Sequence, residues 1–375
     1  MKKTLIYLCF NLFLLGSSLP AYAGGGLPPG PNYNNLDFTD FVVFGGGHTI
    51  LGRGVSADDN EPDDPDDPII INGALVGSNG NIEVRGKSQT EAIVTNGDIL
   101  LGNHVRVDGD VIVNGDVDLN LDAQVGGDIE AGGKVHLGRH SVVSGDVTAG
   151  GDIDLEKFSS IGGTASEFST PLTYSPITLP PSTAFGIGTL DVTKGSGNTT
   201  TLLPGSYDDI TLGASNVLNL QGGKYYMDNL NLGEFSTINI DLTSGEFEMY
   251  VLHDVTIGRY TNMFLTGGEA DQVYIEVGRK WLSRGHSNLY GTVFSHGDLQ
   301  IGRKTNWTGA LYAGDVLRIR GGSNINFDLY CGFEGDLACE DVPPQTSAVP
   351  EPTTIALLAS GLLAASRLKK LKKLA

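Results

Sequence analysis

Acidic side chains recur at a fixed interval between residues 96 and 167, and these carboxylates are the first candidates for cation binding. Asp110, Asp128 and Asp146 follow one another every 18 residues. Carboxylates stacked in successive repeats repel one another, so they need cations, splayed side chains or raised pKa values. Each aspartate also follows a glycine, where its carboxylate can accept a hydrogen bond from a turn N–H. Two interpretations stay open, a turn-capping role and weak collection of Ca²⁺, and no other cofactor is expected.

Histidines occupy another repeating position. His104 and His140 are two repeats apart, with Asp122 at the same position between them. Stacked strands are about 4.8 Å apart, which puts the two imidazoles about 9.6 Å apart. One zinc ion binds nitrogen at about 2.0–2.1 Å, so both histidines cannot hold it directly. The spacing predicts a surface ladder and not a metal site.

The segment at residues 57–68 concentrates acidic residues, with seven carboxylates and three prolines. A calcium site needs converging oxygen ligands, usually around a sharp turn. Prolines spread the carboxylates along an extended chain, which favours a solvated, flexible insertion over a specific site.

If the repeats described below form a β-helix, an enzyme is one possible class of protein, because β-helical proteins include polysaccharide lyases and hydrolases. We find no G-x-S-x-G, H-E-x-x-H or phosphate-binding motif, and no spacing that selects an acid–base pair. The sequence therefore predicts a non-enzymatic protein, with a lyase or hydrolase as one alternative and a carbohydrate-binding adhesin as another. The side chains that such activities would draw on are Asp271, Glu276, Arg279, Lys280, Arg284, His286 and His296.

The composition narrows the class of protein. The 375 residues include 53 glycines and carry a formal charge of −20. Glycine and aspartate at this level indicate many turns and short strands. The acidity argues against nucleic acid as a partner, because phosphates require Lys and Arg. The composition is typical of an all-β protein with a soluble, acidic surface.

Residues 96–167 divide into four repeats of 18 residues without gaps. Apolar residues fill the fourth, sixth and twelfth positions, and glycine fills the second and fourteenth. A fixed period with alternating apolar positions indicates a solenoid, in which each repeat buries its apolar residues only against its neighbours. We predict three short strands per repeat in a parallel β-helix, with the corner glycines at positive φ. The apolar positions are Ile99, Val117, Val135 and Ile153; Leu101, Leu119, Leu137 and Leu155; and Val107, Val125, Val143 and Ile161.

The pattern D-[VIL]-x-[LI]-G-x-x-[ST] continues at irregular spacing in the second half, for example at residues 254–263 and 298–307. This predicts a second, decorated β-helix. Proline-rich residues between the halves predict a linker or an external crossover, although one continuous solenoid with an excursion is also possible. The residues 41–54 are predicted to cap an open end. The predicted divisions are 1–23 signal peptide, 24–71 cap and acidic insertion, 72–167 regular β-helix, 168–204 linker, 205–340 second β-helix and 341–375 linker with sorting signal.

The N-terminus has the layout of a secretory signal peptide. Two lysines precede a short apolar run, and Ala21 and Ala23 form an A-x-A site for signal peptidase. Cys331 and Cys339 would remain after cleavage. Because an exported chain meets an oxidising compartment, we predict a disulfide between them, with two free thiols as the alternative.

The C-terminus, residues 348–375, joins V-P-E-P to an apolar stretch and a basic end. The apolar residues 355–365 would rise about 16 Å as a helix. The hydrocarbon core of a bilayer is about 30 Å thick, so this helix is short for a permanent transmembrane span. The basic end would stay cytoplasmic by the positive-inside rule. The order of these three segments predicts a protease site next to a helix that contacts the inner membrane transiently. An ordinary tail anchor is the alternative.

This order resembles the PEP-CTERM sorting signal of exported Gram-negative proteins. The resemblance implies processing by an exosortase and placement at the cell surface or in an extracellular polysaccharide matrix. It rests on Val349, Pro350, Glu351, Pro352, Gly361, Arg367, Lys369 and Lys370.

The regular repeats resemble the triangular β-helix of bactofilin-like polymer-forming proteins over residues 72–167, and the later half resembles β-helices of bacterial surface proteins. The predicted signal peptide distinguishes this chain from bactofilins, which are cytoplasmic. Taken together, the sequence predicts an exported structural or adhesive protein whose partners are signal peptidase, exosortase, and either extracellular polysaccharide or further copies of itself.

Overall fold

The computed structural model describes residues 36–52, 68–170 and 175–333. Three parallel sheets of 13 strands each form a β-helix, which confirms the predicted fold class. At about 4.8 Å between strands, the 13 coils make a rod about 58 Å long.

Each coil contributes one strand to each sheet. From one end of the rod to the other, sheet A contains Gly205–Ser206, Gly223–Met227, Phe247–Val251, Val273–Val277, Thr292–Ser295, Leu311–Ala313, Phe41–Gly45, Leu75–Ser78, Ile93–Thr95, Val111–Val113, Ile129–Ala131, Val147–Ala149 and Ala165–Ser166. In the same direction, sheet B contains Val192–Lys194, Ile210–Leu212, Leu230–Leu232, Asp254–Ile257, Lys280–Ser283, Asp298–Ile301, Val316–Ile319, His48–Leu51, Ile82–Val84, Ile99–Leu101, Val117–Leu119, Val135–Leu137 and Ile153–Leu155. Sheet C likewise contains Thr199–Thr201, Val217–Gln221, Thr237–Asp241, Asn262–Thr266, Asn288–Tyr290, Asn306–Thr308, Asn324–Asn326, Ile70–Asn72, Gln89–Thr90, Arg106–Val107, Gln124–Val125, Val142–Val143 and Ser160–Ile161. Short 3₁₀ helices lie at Phe38–Asp40, Leu242–Ser244, Ala270–Gln272 and Cys331–Phe333.

The order of strands along the rod differs from the order along the chain. The strand Phe41–Gly45 lies between Leu311–Ala313 and Leu75–Ser78, in the middle of sheet A. From residue 41, in the middle of the rod, the chain therefore winds to one end by residue 166, resumes at the other end at residue 192 and winds back to the middle. Each sheet runs unbroken through both halves. The prediction that residues 41–54 cap an end of the rod is wrong, because the strands in this segment belong to a central coil.

The residues between Ser166 and Val192, which we call the crossover, run outside sheet A where they are described. The predicted linker, 168–204, is too long, because strands resume at Val192. Asn79 and Ile177 exchange two hydrogen bonds of 2.8 Å between the Asn79 amide and the Ile177 backbone. The ring of Phe185 lies 5.5 Å from that of Tyr226, on the outer surface of sheet A. These contacts tie the crossover to coils from both halves.

Two apolar cores result. The inner core fills the rod with the repeating columns that the sequence predicts, and Val117, for example, pairs with Ile99 and Val135 on either side. The outer core covers sheet A with aromatic residues from the crossover and from both ends of the described chain. The ring of Phe38 lies 5.2 Å from that of Phe333. The first and last described residues thus lie near each other.

The corner glycines of the regular repeats do not adopt positive φ, so that prediction is wrong. Positive φ belongs to the ninth position of each repeat, occupied by His104, Asp122, His140 and Phe158. The glycines are needed for close approach instead. A Cβ on Gly133 would lie 2.0 Å from Oδ1 of the preceding coil's aspartate, Asp116.

Candidate binding face

The aspartates predicted to collect cations each accept a hydrogen bond from the next coil. Asp110 Oδ1 accepts from the backbone N–H of Asp128 at 2.8 Å, and Asp128 Oδ1 accepts from that of Asp146 at 2.7 Å. The N–H and hydroxyl of Thr164 complete the series and lower the pKa of the Asp146 carboxyl. The ladder accounts for the Gly-Asp pairs through backbone capping between coils, and weak Ca²⁺ binding stays a prediction.

Carboxylates converge elsewhere, at a corner that was not predicted from the sequence. Oxygen atoms of Asp208, Asp209 and Asp228 lie within 4.8 Å of one another. Loss of solvation and then the neighbouring carboxylates raise the pKa of Asp208. The amide of Asn229 donates to Asp209 and Asp228 at 2.9 Å each, so hydrogen bonds already offset part of the repulsion.

The histidine ladder lies on the surface, and two of the candidate enzyme residues are in contact with each other. His104 Nδ1 lies 3.5 Å from a carboxylate oxygen of Asp122, and both side chains are partly exposed. Among the enzyme candidates, Glu276 and His296 form a 2.8 Å contact. Glu276 is buried and also accepts two hydrogen bonds from Thr183 of the crossover. This pair holds the crossover on sheet A.

The G-x-x-[ST] part of the later repeat forms a corner before each strand of sheet C. The hydroxyl of Thr261 donates to the carbonyl of Gly258 at 2.9 Å, and that of Ser236 donates to Gly233 at 2.7 Å. The residue before each hydroxyl adopts positive φ, as Tyr260 does at 59°. Because of this backbone conformation, the side chain of the residue with positive φ points outward at the corner.

Aromatic rings consequently stack along this corner. The rings of Phe235 and Tyr260 are 4.9 Å apart and nearly parallel, and the ring of His286 lies 4.8 Å beyond Tyr260. Phe235 is 55% exposed and Tyr260 is 38% exposed. The stack borders the outer surface of sheet C, because these residues come two positions before Thr237, Asn262 and Asn288.

Asparagines form hydrogen-bonded files on that outer surface. The Asn288 amide donates to Asn262 at 2.6 Å, and the Asn306 amide donates to Asn288 at 2.8 Å. In the neighbouring file, the Asn239 amide donates to Asn219 at 2.8 Å. Each file follows the pairing register of the sheet, so its amides repeat once per coil.

The asparagine files surround an exposed aromatic side chain. Phe264 pairs with Asn239 across sheet C and is 56% exposed. In the next two coils, Tyr290 pairs with Thr308. This surface, which we call the amide face, was not predicted from the sequence. The recurring asparagine or threonine directly after the corner hydroxyl, as in TNMF, SNLY and TNWT, is the signal that indicates it.

The amide face carries little charge. In the eight sheet C strands from Thr199–Thr201 to Ile70–Asn72, Asp241 is the one charged residue. The chain as a whole carries −20. The face therefore differs from the acidic remainder and offers hydrogen-bonding amides and hydroxyls around exposed rings.

Several predicted residues fall outside the described ranges, including those of the signal peptide, Cys339 and the whole C-terminal tail. Cys331 is disulfide-bonded, and its predicted partner lies among the residues not described. No helix within the described ranges is long and apolar enough to cross a membrane.

Comparison with known proteins identifies the tail. Residues 348–370 match the PEP-CTERM protein-sorting motif. The chain carries a PEP-CTERM sorting signal. This signal indicates processing by an exosortase and export to the cell surface or the extracellular space, as the sequence predicts.

No curated protein matches the sequence. Among solved structures, the chain is similar to an ice-binding protein from an Antarctic bacterium of the Flavobacteriaceae, with 13% identity and a TM-score of 0.28. The similarity covers 77% of this chain and 97% of that protein. At this TM-score the similarity does not bear on what this chain binds.

Proposed function

We propose that this protein is a non-enzymatic structural and adhesive component of the bacterial surface or extracellular matrix, and that copies of the rod associate end to end. The observation that carries the proposal is the exposure of apolar side chains at both ends of the rod, including Leu155 at a core position. The sorting signal supports the location, and the unbroken sheets support a role as a rigid element.

One end exposes the last regular coil. Leu155 lies at the position that Leu137 occupies in the preceding coil, and the two residues pair in sheet B. Leu137 is fully buried, whereas Leu155 is 53% exposed. Among the described residues no further strand covers this coil. Covering Leu155 would contribute about 1 kcal/mol of hydrophobic stabilisation.

The opposite end exposes apolar residues of the first coil after the crossover. Leu190 is 58% exposed and Leu203 is 61% exposed. All strands within a sheet are parallel, so the end of one rod presents strand edges that continue the direction of those at the other end. A head-to-tail contact of this kind repeats without closing and produces filaments.

The test is self-association of the mature chain. We expect electron microscopy and light scattering to show filaments or oligomers that grow with protein concentration. Leu155→Lys places a charge at the exposed end and should abolish association while leaving the thermal unfolding midpoint nearly unchanged. Ile153→Lys, in the same coil, should also abolish association, but it should lower the unfolding midpoint as well, because Ile153 packs partly against the inner core.

The matched control is Leu121→Lys, which introduces the same charge at a 38% exposed leucine in the middle of the regular repeats. This variant should associate like the natural chain. A wild-type protein that stays monomeric at millimolar concentration would contradict the proposal, as would equal loss of association in Leu121→Lys.

A further inference from the structure

The asparagine files retain hydrogen-bonding capacity for a ligand. Asn288 donates one bond to Asn262 and accepts one from Asn306. A primary amide has two N–H donors and two acceptor lone pairs. One donor and one lone pair of Asn288 therefore stay available, and the arrangement recurs coil after coil at about 4.8 Å.

Phe264 adds a contact of another kind. An aromatic ring is a large apolar surface, yet this one lies between amides on an outward face at 56% exposure. A sugar ring has an apolar face of C–H groups and a rim of hydroxyls. The exposed ring can contact the former while neighbouring amides such as Asn239 bind the latter.

The charge distribution of the protein favours uncharged polysaccharides over acidic ones. An acidic polysaccharide would meet repulsion from a chain of charge −20, and the eight strands of the amide face contain no lysine or arginine to offset it. An uncharged polysaccharide meets no such repulsion. A chain that lies along the rod would contact equivalent groups in successive coils, so individually weak contacts add up.

From these observations we propose that the amide face binds an uncharged, linear polysaccharide, with Phe264 stacking on a sugar ring and the asparagine files binding its hydroxyls. The ligand class deepens the adhesive part of the proposed function and needs only a single rod. If end-to-end association fails, the proposal of polysaccharide binding is unaffected. If polysaccharide binding fails, the proposal of end-to-end association is unaffected.

Native gel electrophoresis of the mature chain through gels containing a soluble neutral glucan, hydroxyethylcellulose, tests the proposal. Binding retards the band, and the acidic protein migrates readily without it. We expect retardation in the glucan gel and none in a gel containing the acidic polysaccharide alginate. Phe264→Ala should weaken the apparent affinity about tenfold, from the loss of an aromatic contact.

Asn288→Asp should also weaken binding, because it removes the amide donor and adds a charge. The matched controls lie outside the amide face: Phe158→Ala removes a 59% exposed ring, and Gln124→Glu changes an exposed amide of sheet C to an acid. Both controls should keep the retardation of the natural chain. Absence of retardation by the glucan, stronger retardation by alginate, or equal loss in the controls would each overturn the proposal.

Discussion

Thr183 donates its backbone N–H and its hydroxyl to the carboxylate of Glu276, each at 2.6 Å, although the two residues are 93 positions apart. His296 contacts the same carboxylate at 2.8 Å. One buried acidic side chain thus fastens the crossover to the later half of the solenoid.

Glu276→Gln is expected to loosen the crossover. The glutamine has one acceptor oxygen where the carboxylate has two, and it carries no charge, so the hydrogen bonds that converge on this side chain, including one of 3.2 Å from the Tyr274 hydroxyl, are weakened. We expect a loss of about 1–3 kcal/mol in unfolding free energy by urea denaturation. The control Glu234→Gln changes an exposed acid at a corner and should have little effect. Equal effects of the two variants would contradict the assignment.

The same carboxylate predicts a pH dependence. Burial alone would raise the pKa of Glu276, but hydrogen bonds from His296 and Thr183 outweigh it and lower the pKa. Its stabilising contribution is therefore complete above the ordinary glutamate pKa and is lost as pH falls through the lowered value. Urea titrations from pH 6 to pH 3 should show that Glu276→Gln removes part of the acid-induced loss of stability seen in the natural chain.

Asp128 separates the two interpretations of the aspartate ladder. Asp128→Asn keeps the oxygen that accepts from the Asp146 N–H, whereas Asp128→Ala removes it. If capping between coils is the role, alanine should cost about 0.5–1.5 kcal/mol and asparagine much less. Chemical denaturation with and without Ca²⁺ measures both. A calcium-dependent loss of stability in the asparagine variant would favour cation collection instead.

Gly133→Ala tests the reason for the corner glycines. Its Cβ would lie 2.0 Å from Asp116 Oδ1, which already accepts the Lys134 N–H at 2.7 Å. We expect a loss of about 1–3 kcal/mol, typical of overpacking. At Gly186 no atom lies within 4 Å of the added Cβ, so Gly186→Ala is the control and should change stability by less than about 0.5 kcal/mol. Similar melting temperatures for both variants would refute close packing as the cause.

Asp328 should destabilise the fold at neutral pH. Burial, followed by the charges of Asp271 and Glu269, raises its pKa to about 6. A raised carboxyl pKa means that the folded state binds the proton more tightly, so stability increases as pH falls through 6 towards 4. Asp328→Asn should therefore stabilise the protein at pH 8 by about 1 kcal/mol after allowance for solvent screening. Thermal unfolding at pH 5 and pH 8 should show a benefit confined to pH 8, and the exposed Asp315→Asn is the control.

The sequence predicts the repeating core because period and apolar identity act locally. Leu101, Leu119 and Leu137 repeat every 18 residues and do pair across neighbouring coils. The position of residues 41–54 could not be found in this way. Val43 pairs with Leu311, and a contact between such distant residues leaves no local period.

The binding face was missed for a different reason. Asparagines at positions 262, 288 and 306 are separated by 26 and then 18 residues, so insertions in the intervening loops conceal their alignment. Their common feature is the preceding corner hydroxyl, whose role becomes clear from its hydrogen bond to a glycine carbonyl. Glycine was also misjudged, since sequence alone does not separate a need for positive φ from a need for close approach.

The meeting of Phe38 and Phe333 has a geometric consequence for display on the cell. The ring of Phe38 lies 5.5 Å from that of Tyr312, whose strand lies next to the central coil, and the ring of Phe333 lies 5.2 Å from that of Phe38. The described chain therefore ends near the middle of the rod. A copy held through the residues that follow Phe333 would form the crossbar of a T. Both ends of the rod would then be accessible to neighbouring copies.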